Sequence, residues 1–155
     1  MTDTVRDAIA ASIALEIRVV STPEAPFGYG SDISCAYDVD PSAAEVTGTL
    51  LLAQAIVRRL DTPRGSLPDD KGYGISLRSM LNAGVTSQDI ASMAGRISNE
   101  VKKDDRVDNV LTTVTPSATG DTLSVVLLVT PVDSAEEFTM TLAVTSGATL
   151  LEAIS

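Results

Sequence analysis

The chain has 155 residues, enough for one domain with a hydrophobic core and too few for two of ordinary size. Acidic residues outnumber basic ones by 21 to 11, and the net charge of -10 opposes a nucleic-acid backbone, so ordinary solubility is the reading of the acidity. The longest apolar runs, such as Val125 to Val129, fall far short of the roughly 20 residues that cross a bilayer.

Asp3, Arg6 and Asp7 precede Ala8 to Leu15 without a basic leader or a continuous apolar block, which argues for a protein made inside the cell. The single cysteine, Cys35, has no intrachain partner, so packing must hold the fold. Residues 1 to 41 are expected to form an N-terminal arm. It begins with an amphipathic spacing of Val5, Ile9, Ile13 and Ile17, which leaves helix and strand both open, and continues through a turn-rich stretch with Pro23, Pro26, Gly28, Gly30 and Asp32. The packed domain is expected over residues 42 to 155.

Ser42 and Glu45 have the spacing of a reciprocal capping box and place a helix start there. Val46, Leu50, Ala53, Val57 and Leu60 then form one apolar stripe, widened by Leu51, Leu52 and Ile56. Pro63 ends the helix near Leu60 or Asp61, and Pro63 to Gly74 reads as an ordered loop. A short helix is expected over Ile75 to Leu81, stopped by Gly84. Thr86 to Asp89 caps a further helix carrying Ile90, Met93 or Ala94, Ile97 and Val101 at helical spacing, with Lys102 and Lys103 in its last turn.

From Val107 the period becomes two. One face of this strand holds Val107, Asn109, Leu111, Thr113 and Thr115, and the other Asp108, Val110, Thr112 and Val114. A turn at Ser117 to Asp121 precedes strands over Leu123 to Thr130 and Phe138 to Thr145. Helices first and strands last make an α+β fold: a helical N-terminal half packed on an antiparallel sheet of about three strands.

Catalytic chemistry is hard to assemble from these residues. Without histidine there is neither a Ser-His-Asp nor a Cys-His arrangement, and histidine-based zinc sites are excluded. The acidic doublets Asp69-Asp70, Asp104-Asp105 and Glu136-Glu137 have no calcium-loop spacing and are expected by chance in so acidic a chain. Phe27-Gly28-Tyr29-Gly30 and Gly72-Tyr73-Gly74 lack the further residues of a phosphate-binding loop. No catalytic residue, metal or cofactor is expected.

Leu50 to Leu81 contains Leu60-Asp61-Thr62-Pro63-Arg64-Gly65-Ser66-Leu67-Pro68, then Tyr73-Gly74 and a short helix. This order resembles the baseplate wedge and sheath-initiator family of contractile phage tails, sometimes labelled lysozyme-like. In that family an amphipathic helix ends in Glu-Pro-Arg before the strands. Here Asp104-Asp105-Arg106 stands at that place, with Arg106 matching, Asp104 exchanging one acid for another and Asp105 departing from proline.

The resemblance covers residues 42 to 150 and implies a structural, non-enzymatic part of the virion baseplate, assembled in the host cytoplasm. Its partners would be other baseplate wedge proteins, the tail sheath protein, and tail tube or hub proteins, with neither nucleic acid nor membrane among them. An open edge of the sheet would template the first sheath ring by β-augmentation. Asp104, Asp105 and Arg106 would bind a neighbouring wedge protein, their alternative being a solvated helix-to-strand corner. Arg64 is expected to fix its loop or to make such a contact. The rivals are an adapter of a related injection or secretion machine and, as the family label suggests, a peptidoglycan hydrolase.

Overall fold

A computed structural model describes residues 29–34, 44–84, 86–132 and 136–155. In chain order these form β1 (Ser31–Ile33), β2 (Glu45–Thr47), α1 (Gly48–Asp61), α2 (Leu77–Asn82), α3 (Ser87–Val101), β3 (Val107–Pro116), β4 (Thr122–Pro131), β5 (Phe138–Thr145) and β6 (Thr149–Ile154). The strands make a two-stranded sheet, β1-β2, and a four-stranded antiparallel meander, β3-β4-β5-β6. The fold is therefore mixed helix and sheet.

The sheet carries the clearest pattern. Along β4, Leu123, Val125, Leu127 and Val129 are buried, and along β5 Phe138, Met140, Leu142 and Val144 are buried, each alternating with half-buried neighbours. One face thus meets Leu52, Ile56, Leu60, Leu77, Ile97 and Val101 of the helices in a single core. The other carries Leu111, Thr113, Val126, Leu128, Thr139, Thr141 and Leu150, all exposed or half-buried.

Four expectations change in the structure. Glu45 does not cap a helix: it lies in β2 opposite Ile33, while Ser42 is outside the described residues. The helix starts at Gly48, whose φ of +65° turns the chain out of the strand, a backbone conformation glycine adopts without a Cβ penalty. With this later start the buried stripe centres on Leu52, Ile56 and Leu60, leaving Leu50 exposed and Val57 half-buried. In β3 a bulge between Val107 and Asn109 shifts the alternation, so Val107 faces the core with Val110 and Val114, opposite to Leu111.

The fourth change is β6. Thr149–Ile154 pairs with β5 through a bulge between Thr141 and Leu142, which made its two-residue period hard to read in the sequence. The other elements follow the sequence closely, except that α2 begins at Leu77 rather than Ile75, and Lys102 and Lys103 lie past the end of α3 at Val101 rather than in its last turn. Helix α1 ends at Asp61, with the Thr62 amide donating to the Arg58 carbonyl ahead of Pro63. Thr86 and Asp89 form the reciprocal capping box of α3. The expected arm and the boundary near residue 40 lie largely outside the described residues; within them, Tyr29 joins the core and β1 pairs with β2.

Candidate functional site

The last turn of α3, the loop between α1 and α2, and the start of β3 meet in one region. Its centre is a residue that the sequence reading did not single out. Glu100 is 1% exposed and its carboxylate accepts from four donors. The Gly74 amide (3.0 Å) and Arg59 (3.4 Å) donate to Oε1, while Arg64 (2.5 Å) and Lys103 (2.8 Å) donate to Oε2. Burial alone pushes this carboxyl up, but the Lys103 and Gly74 hydrogen bonds, with the charges of Lys103 and Arg64, hold it below the usual glutamate range.

This carboxylate fastens the loop to the helix. Arg64 also donates from Nε to the Gly74 carbonyl (3.1 Å), Lys103 donates to the Gly72 carbonyl (3.1 Å), and the Arg59 guanidinium lies 4.3 Å from the centre of the Tyr73 ring. Gly74 has a φ of +84°, and a Cβ there would fall inside the van der Waals shell of the Thr62 carbonyl oxygen. That same oxygen accepts from the Ser76 amide (3.1 Å), so the loop closes directly onto the end of α1.

A second junction ties the same C-terminal end of α1 to the sheet. Arg78 of α2 donates twice to Asp61, at 2.8 and 3.0 Å, and Thr149 of β6 donates to the same carboxylate at 3.0 Å. The Arg78 guanidinium also reaches the Gly147 carbonyl in the β5–β6 turn.

The expected partner-binding residues divide between these surroundings. Arg64 is brought into the Glu100 network with its side chain still 55% exposed. Asp104 and Arg106 are brought together. Arg106 Nε and Nη2 each donate to the Asp104 carboxylate at 2.8 Å, and the Arg106 amide donates to it at 3.1 Å. The Arg106 hydrogen bond outweighs burial and holds the Asp104 carboxyl below its ordinary range, and the same bond raises Arg106. Asp105 points into solvent and joins neither group.

The Asp104-Asp105-Arg106 corner launches β3. The Val107 amide donates to the Asp104 carbonyl and the Val132 amide to that of Arg106, pinning the strand start to the end of β4. Every described carboxylate with a resolved shift, namely Asp32, Asp89, Glu100, Asp104 and Asp121, is held in its charged form. None of these five is arranged as a proton donor near neutral pH, because a general acid needs a raised pKa. Among the described residues no group of acids or cysteines has a metal-binding arrangement, and no helix is long and apolar enough to cross a membrane.

Glu100 did leave a signal in the sequence. Met93, Ile97 and Glu100 are spaced four and three apart, so the acid sits on the apolar stripe of α3 and had to be partnered to be buried there. Of the cations that neutralise it, Lys103 is three residues on, but Arg64 and Arg59 come from 36 and 41 residues away, and no local pattern identifies those two. No protein-family model matches the chain, and no curated protein matches its sequence.

Proposed function

We propose that the protein is a structural component of a contractile-tail baseplate, linking the wedge to the region near the tube and templating the first ring of sheath subunits. The observation that carries this reading is the open meander. Among the described residues β3 pairs only with β4, and β6 only with β5, so the sheet ends in two strands each free along one side. A strand of another chain adds to such an edge through main-chain hydrogen bonds, while alternate side chains set the register.

β3 is the longer edge, running in continuous register from Asn109 to Pro116 beyond its bulge. The Asp104–Arg106 corner stands at the start of the same strand, where a neighbouring wedge subunit would meet the remaining guanidinium donors of Arg106. The order of motifs from Leu60 to Arg106 supports the same assignment. An adapter of a related injection or secretion machine would use the same surfaces, and the proteins encoded beside this one distinguish the two.

The test is co-purification with the cognate sheath and wedge proteins. Wild-type protein should capture both. Leu111→Lys in β3 or Leu150→Lys in β6, placing a cation on an edge strand, should weaken sheath capture for whichever edge is used. Arg106→Ala should impair wedge capture with the domain still folded. Capture of neither protein, or clearing of cell-wall suspensions by the purified chain, abolished on replacing Asp104 or Asp105, would defeat the proposal.

A further inference from the structure

The Glu100 network holds more positive charge than it needs. Arg59, Arg64 and Lys103 converge on one carboxylate, and Arg96, one helical turn before Glu100, lines the same cleft as Arg64, Lys103 and Asn99. Arg96 is exposed and makes no ion pair or side-chain hydrogen bond with the described residues. In a chain of net charge -10 this is a local excess of cations.

The donors there are also only partly used. A guanidinium has five N–H groups and an ammonium three. Arg64 directs one to Glu100 and one to the Gly74 carbonyl, and Lys103 one to Glu100 and one to the Gly72 carbonyl. The remaining donors are held in place by those bonds, so an incoming anion meets side chains whose freedom is already restricted. On the loop, the exposed Asp70 accepts from the Gly72 amide.

Chemical class follows from what adjoins the cations. The cleft continues past Ile75 and Arg96 into a depression between α2 and α3 lined by Met80, Ala83 and Met93, with Ser79, Ser92 and Asp89 also on its wall, Asp89 lying seven residues before Arg96 on α3. A cationic end opening onto aliphatic and thioether side chains suits a segment with a carboxylate beside an apolar residue. It suits a nucleic acid poorly, since that ligand would bring a row of phosphates towards an acidic molecule and nothing aliphatic for the methionines.

We infer that the cleft formed by Arg64, Arg96 and Lys103, continued by Ile75 and Met80, binds an acidic, partly apolar segment of a partner protein. The site is separate from the sheet edges and does not depend on the sheath assignment. The Glu100 carboxylate does not bind the ligand; it positions two of the three cations that do, Arg64 and Lys103.

The test uses the whole chain, labelled for NMR, titrated with an acetylated, amidated peptide of alternating glutamate and leucine. Controls are the glutamine-for-glutamate peptide, sodium tripolyphosphate and a short single-stranded DNA. The acidic peptide should shift the Gly74, Ile75 and Arg96 amides and the Arg64 and Arg96 side-chain N–H signals, and the glutamine peptide should not. Arg96→Glu, at an exposed position without a partner, should weaken binding by about tenfold with the fold intact. Shifts absent, located elsewhere, unaffected by Arg96→Glu, or stronger with tripolyphosphate or DNA than with the peptide would each overturn the inference.

Discussion

Two acid–cation clusters lie within one stretch of chain, and they do opposite things. Asp104 takes its arginine from two residues away, so the pair stiffens a corner that the backbone already forms. Glu100 draws Arg64 and Arg59 from 36 and 41 residues away, and with the Lys103–Gly72 hydrogen bond that carboxylate holds the Pro63–Gly74 loop on the end of α3. The same functional groups thus serve local geometry in one case and tertiary structure in the other, and sequence separation decides which.

The contrast is sharpest at the glycine beneath the loop. Gly74→Ala should destabilise the protein by about 3 to 4 kcal/mol, since it combines a left-handed backbone with overlap against the Thr62 carbonyl. Urea unfolding measures it. Glu100→Ala follows, at about 3 kcal/mol: half-buried Arg59 and the Gly74 amide lose their acceptor, whereas the more exposed Arg64 and Lys103 rehydrate. Arg106→Ala should cost only about 1 kcal/mol, because its bidentate pair is local and partly solvated.

The Glu100 cluster also carries a pH signature. Its carboxyl is depressed in the folded state, so its contribution is complete above the unfolded value of about 4.3 and is lost as pH falls through the lower folded value. The stability gap between wild type and Glu100→Gln should therefore be level from about pH 5 to 8 and shrink below about pH 4. A gap that grew on acidification would mean the carboxyl is protonated in the native cluster. Smallest of all, Leu111→Thr on the open face should change stability by less than about 0.5 kcal/mol, since that side chain is 64% exposed.

How much of this was legible in the sequence follows the same division between local and distant. The α3 capping box, the stop before Pro63 and the β4 and β5 alternations each depend on neighbours a few residues apart, and each could be read directly. The start of α1 could not: Glu45 suits a capping box, yet pairing of β2 with β1 claims it, and Gly48 makes the turn instead. The bulges in the β3–β4 and β5–β6 pairings each broke a two-residue period, hiding the true face of Val107 and the whole of β6. Arg64 and Asp104–Arg106 were visible as charged motifs and Glu100 was marked by its place in an apolar stripe, but the pairing of that carboxylate with Arg64 and Arg59 across 36 and 41 residues was not legible.

The proposal of sheath templating is tested most directly by hydrogen exchange on the protein alone and in complex with its cognate sheath subunits. Backbone amides of one outer strand, Val110 to Thr115 of β3 or Thr149 to Ile154 of β6, should exchange markedly more slowly in the complex, with the inner strands β4 and β5 unchanged. Absence of a complex, or a complex in which both outer strands exchange as fast as in the free protein, would contradict it.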